Sequence, residues 1–113
     1  SPVELVRAAF EAIERTEPHL NAWCEVLAES ALLQAAEHEA EAFRGHFRGP
    51  WHGVPIGVKD LFHTAGVPTR RGSHLYAHAA TNDDSPAVER LQRAGAIMVG
   101  KNTTAEIGWN DVG

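Results

Sequence analysis

The chain has 113 residues, 43% of them apolar and 22% charged, a composition that excludes a disordered or collagen-like polymer. Ten Lys and Arg against fifteen Asp and Glu leave a formal charge of −5, which excludes nonspecific grip on nucleic-acid phosphates as a working mode. The longest apolar run, Ala94 to Gly100, is too short to span a membrane, and a lone Cys24 allows no internal disulfide and fits a reducing, cytoplasmic setting.

Taken in chain order, the first predicted element is a helix. Ser1 is placed to cap it, Pro2 takes its first position, and Glu4 stands three residues after the cap. Leu5, Ala8, Ala9, Ala12 and Ile13 recur at helical spacing to about Arg15, and Pro18 closes the element. Residues 21–27 read as a short extended link with some β character. A second helix is predicted over 28–43, where Leu32, Leu33, Ala36, Ala40 and Phe43 make an apolar stripe against a Glu-rich face. Gly45 and the Arg48-Gly49-Pro50 cluster stop it. Residues 1–48 thus read as a helical pair that packs on the rest of the chain.

Residues 49–113 alternate strand and helix. Strands are predicted over 56–58 and, shorter, over 62–64, followed by a long loop from Thr69 to Asp83. A helix then starts at Ser85-Pro86, capped by Asp84 or Ser85, and runs to about Arg93 with Val88 and Leu91 facing inward. Gly95 ends it. Ala96 to Val99 form a continuous apolar strand of the buried type, and Thr103 or Thr104 caps a short turn holding Glu106. The fold class is α/β, and the expectation is an incomplete single domain whose exposed sheet edges promote self-association.

One stretch carries chemistry. In Gly53-Val54-Pro55-Ile56-Gly57-Val58-Lys59-Asp60, side chains alternate between faces, so Val54, Ile56 and Val58 share one and Pro55, Gly57 and Lys59 the other. Gly57 leaves room for backbone or a ligand beside the Lys59 amine. A lysine held in a half-dry crevice loses its proton readily enough to act as a base. The plain alternative is a lysine reaching into water from a strand end.

This stretch is followed by Gly72-Ser73, by Asp84-Ser85-Pro86-Ala87-Val88-Glu89-Arg90-Leu91, by Ala94-Gly95-Ala96-Ile97-Met98-Val99-Gly100-Lys101-Asn102, and by Glu106. That order of blocks resembles the N-terminal part of the amidase signature family. The resemblance implies the helical pair and mixed sheet of that fold's N-terminal portion. It also implies an enzyme that hydrolyses small-molecule carboxylic amides to an acid and ammonia or an amine. In the family, the lysine after this strand is the base of a Ser–cis-Ser–Lys triad, a role that falls here on Lys59. Neutral lysine takes a proton from the bridging serine, which relays it from the nucleophilic serine; no metal or organic cofactor is implied. The family's Gly-Gly-Ser-Ser-Gly-Gly type segment does not occur after Lys59, and Ser30, Ser73 and Ser85 do not replace it. The expectation is a lysine-bearing fragment, inactive alone. The alternative is a noncatalytic, truncated paralogue that acts as a binding module. The substrate-binding residues are not readable from this segment.

Other motifs are weaker. Gly95 to Lys101 matches the spacing of a phosphate loop, but its four intervening residues are themselves an apolar strand, and Asn102 stands where Ser or Thr would bind magnesium. The reading kept for Lys101 is an ordinary strand ending in an exposed lysine. His74 and His78 lack a third ligand at fixed spacing and read as solvated loop residues. Cys24, beside Trp23 and Val26, reads as a small buried apolar group rather than a nucleophile. Glu106 reads either as a family-matched carboxylate or as one bound to backbone amides, and Asp83 and Asp84 as loop or capping residues.

Overall fold

Ser1 opens the chain with a reciprocal capping box: its Oγ accepts from the Glu4 amide at 3.3 Å, and its amino group donates to the Glu4 carboxylate at 3.3 Å. In the computed structural model, which describes residues 1–76 and 80–109, the helix so started (α1) spans Pro2–Leu20. It passes Pro18, where the sequence predicted its close. Proline forfeits one hydrogen bond in the last turn, and three donors converging on Glu17 hold that turn together. The Asn21 amide bonds the Glu17 carbonyl at 2.9 Å, while the Ala22 and Trp23 amides reach its carboxylate at 2.6 and 3.0 Å. Asn21, in the left-handed conformation, makes the stop.

The remaining elements are, in order, β1 (Trp23–Val26), α2 (Ala28–Phe43), β2 (Pro55–Lys59), α3 (Pro86–Arg93) and β3 (Ile97–Asn102). The sheet order is β1-β3-β2, with β1 antiparallel and β2 parallel to the central β3. The helical first part of the chain therefore contributes a strand to the same sheet as the second. β3 is buried on both faces, as the apolar run that begins it, Ile97 to Val99, requires. Ile97 and Val99 pack with Val6, Ile13, Ala31 and Ala35 of α1 and α2; Met98 packs with Val58 and Val88 on the α3 side.

α2 has its predicted bounds but another face inward. Ala31, Ala35 and His38 are buried, whereas Leu33, Ala36, Ala40 and Phe43 of the predicted stripe are exposed and Leu32 is half-buried. Small residues at i and i+4, Ala31 and Ala35, let the helix approach α1 and β3 closely, and that packing outweighs the larger apolar side chains.

Two more expectations are corrected. Residues 62–64 form no strand; Thr64 makes only an isolated bridge to Val67. The turn at Glu106–Gly108 is preceded by Ala105 and has no side-chain cap from either threonine. Ser85 does stand at the cap position of α3, but its Oγ accepts from the His63 amide at 2.7 Å, tying the segment just after β2 to the helix.

His38 is buried with both ring nitrogens unpartnered and stacks on His52 at 4.7 Å. Burial, helped by the nearby Arg48 guanidinium, pushes its pKa below the usual imidazole value. An unfolded chain then binds a proton at His38 that the folded chain refuses, so stability falls as pH drops through about 6.5. Thermal melts between pH 7.5 and 5 are expected to show that loss, and His38→Leu to flatten it; an unchanged slope in the variant counts against the assignment.

Candidate active site

Lys59 is the last residue of β2, and among the described residues β2 has a strand neighbour only on its β3 side. The register shifts between Ile56 and Gly57: Ile56 pairs with Met98 but Gly57 with Gly100, leaving Val99 as the extra residue. Val58 then falls opposite Lys101, and Lys59 opposite Asn102. Gly57 is needed as glycine, because a Cβ there would run into the Asn102 amide oxygen and the Trp23 ring. Lys59 lines an apolar groove of about 320 Å³ with Gly57, Val58, Phe62, Ala87, Val88 and Leu91. Its side chain is exposed and makes no ion pair among the described residues. The dry crevice predicted for this amine is not formed by the described residues, among which the second edge of β2 is unpaired.

The dry lysine is the other one. Lys101, predicted to be exposed, is 0% accessible. The bulge at Val99 turns it to the α3 side, where its Nζ donates to the Phe62 carbonyl at 2.8 Å and to Thr69 Oγ1 at 3.4 Å. It also stands 3.2 Å from Asp60 Oδ1, an ion pair with charge compensation but without hydrogen-bond direction, so that oxygen has no donor. The other carboxylate oxygen, Oδ2, accepts from the Arg70 amide at 3.1 Å. The Asp60 backbone is fixed as well: its amide donates to the Asn102 carbonyl and its carbonyl accepts from the Arg71 amide, both at 3.0 Å. Sequence reasoning missed this pair. The available signal was a carboxylate immediately after a strand-end lysine and a second lysine two residues after the apolar run Ala96 to Val99.

Beside Asp60 lies a second cavity of about 190 Å³, lined by Cys24, Asp60, Arg70, Gly72, Ser73, His74, Thr103 and Thr104. Cys24 is half-buried, and its Sγ donates to the Lys101 carbonyl at 3.4 Å. Burial and then the Asp60 carboxylate push the thiol pKa up, which suits a structural cysteine and not a thiolate nucleophile. Arg70 closes one wall by donating to the Glu25 carboxylate at 3.1 Å.

None of Ser30, Ser73 and Ser85 stands ready beside Lys59. Ser30 Oγ accepts from Gln34 Nε2, Ser73 Oγ from the Leu75 amide, and Ser85 Oγ from the His63 amide. Glu106 is exposed, and its carboxylate takes no backbone amide among the described residues. Asp84 Oδ1 accepts from the Ala65 amide at 2.8 Å, and Asp83 lies 3.5 Å from His63 Nδ1, so both acids act as loop ties. His74 sits in a short helical turn, and His78 lies outside the described residues. Among the described residues no three His, Cys, Asp or Glu converge as metal ligands. The phosphate-loop spacing of Gly95 to Lys101 is taken up by β3 itself, with Lys101 bound internally.

Comparison with known proteins matches residues 4–110 to the family described as Amidase. The chain is 41% identical to an amidase from Pseudomonas putida, over 99% of this chain and 24% of that protein. It is 44% identical to a glutamyl-tRNA(Gln) amidotransferase subunit of Anaeromyxobacter dehalogenans, over 89% of this chain and 20% of that protein. Among solved structures, the peptide amidase of Stenotrophomonas maltophilia superposes with a TM-score of 0.85 at 33% identity, over 93% of this chain and 22% of that one. The chain thus spans between a fifth and a quarter of the length of these relatives.

Proposed function

The chain belongs to the amidase family, and from that premise we propose that it is the lysine-bearing part of an enzyme that hydrolyses carboxylic amides through a Ser–cis-Ser–Lys triad, with Lys59 as the base. The observation that carries this reading is the position of Lys59: it ends an edge strand beside an apolar groove, with its amine uncommitted to any carboxylate among the described residues. An amine held that way is free to exchange a proton with a hydroxyl brought against it. A strand laid along the bare edge of β2 would exclude water from the groove and supply the dryness that a lysine base needs.

Each part then has one task. Lys59, uncharged, takes the proton of the bridging serine as the nucleophilic serine attacks the amide carbon. The same relay returns a proton to the departing amine, and water releases the acid from the acyl-enzyme. The serines and the oxyanion donors belong to sequence outside these 113 residues. The substrate is a small-molecule amide, and the setting is the cytoplasm; among the described residues no helix is long and apolar enough to cross a membrane. The test is ammonia or amine release from a panel of aliphatic, aryl and peptide amides. A full-length protein carrying this segment is expected to turn over at least one of them, and the 113-residue chain none. Turnover by the short chain alone would end the triad reading.

A noncatalytic binding role has one observation in its favour, the outer edge of β2, unpaired among the described residues. Edges of that kind recruit another strand. The isolated chain is accordingly expected to elute from size-exclusion chromatography above its monomer mass. A monomeric elution with a sharp cooperative melt removes the support for edge-driven association.

A further inference from the structure

We propose that Lys101 is a positioning residue for Lys59, holding the turn that presents the catalytic amine and the wall of the groove beside it; the inference rests on the reading of Lys59 as the base. The link is short and continuous. Lys101 Nζ donates to the Phe62 carbonyl at 2.8 Å, and the Phe62 amide donates to the Lys59 carbonyl at 3.1 Å. Two hydrogen bonds through one residue therefore join the buried ammonium to the backbone of Lys59. The aromatic ring of that same residue lines the groove with Lys59. Asp60, directly after Lys59, is fixed on three sides: by Lys101 at 3.2 Å, by the Arg70 amide on its carboxylate, and by the Asn102 carbonyl on its amide. Thr69 Oγ1 takes a further Lys101 proton at 3.4 Å and itself donates to the Phe62 carbonyl at 3.4 Å. The strand end that carries the base is thereby tied to β3 and to the returning loop around one inaccessible cation. Among the described residues β2 pairs with β3 alone.

A cation with no exposed surface does not touch substrate, so its effect on turnover runs through geometry. Misplacing a catalytic group by about 1 Å costs on the order of 10²-fold in rate. The test compares Lys59→Ala, Lys101→Met and the paired Asp60→Asn/Lys101→Met variant in a full-length amidase carrying this segment, each assayed per active site after titration with an acylating inhibitor. The paired variant strands no charge and keeps the volume, but it has no donor for the Phe62 carbonyl. Its kcat per titrated site is expected to fall roughly 10–100-fold with KM within about twofold, a split that mere loss of folded protein does not produce. A paired variant whose kcat per site equals the parent's overturns the proposal. So does one that fails to fold, which assigns the pair to stability alone. Retained activity in Lys59→Ala instead overturns the base assignment, so the two failures are distinguishable.

Discussion

Lys59→Ala in a full-length amidase carrying this segment is expected to cut kcat/KM by about 10²–10⁴-fold, the range that a positioned general base supplies. The same substitution in the 113-residue chain is expected to leave stability within about ±0.5 kcal/mol, since an exposed strand-end side chain without partners has little to lose. The contrast is the informative part. A residue that matters to turnover and not to folding is one whose surroundings were arranged for chemistry. Lys59→Arg adds a control, because a guanidinium keeps the charge but does not give up its proton at working pH. It is expected to be as inactive as the alanine variant. Activity retained by either variant, measured as ammonia release at saturating substrate, removes Lys59 from the mechanism.

The elements were legible where local chemistry and burial agree. The capping box at Ser1 and Glu4, the bounds of α2, the start of α3 at Pro86 and the apolar core of β3 all follow from residues within one or two turns of each other. What sequence could not supply was the consequence of pairing. The bulge at Val99 depends on how β2 lies against β3, and a one-residue shift turns every later side chain to the other face. Sequence therefore assigns Lys101 to solvent where the structure buries it, while Lys59, expected in a dry site, is exposed at a strand edge that no other described strand covers. The inward face of α2 failed for a related reason. Leu33 and Phe43 are the more apolar side chains, but Ala31 and Ala35 permit the close approach to α1. The site itself was legible only as a lysine at a strand end with glycine two residues before it. The carboxylate and cation that brace it meet across many residues of intervening chain, and no short motif announces such a contact.

Lys101→Met is the substitution expected to damage the fold most. It leaves the Asp60 carboxylate buried at 2% exposure with its ion-pair partner removed, and breaking a buried pair from one side typically costs about 3–5 kcal/mol. A domain of this size has about 5–15 kcal/mol in all, and each kcal/mol moves the midpoint by about 4–8 °C for a 60–100-residue domain. A fall of at least about 12 °C in the melting temperature of the chain is therefore expected, with Asp60→Ala similarly damaging. The double variant Asp60→Leu/Lys101→Met should recover much of the loss, because an apolar pair of similar volume carries no desolvation debt. That makes the pair a double-mutant cycle with a strongly favourable coupling. The opposite pattern, in which Lys101→Met melts with the parent, would mean that the Lys101 ammonium reaches water after all. The two lysines would then be alike, and the physical distinction between a brace at 101 and a base at 59 would disappear with them.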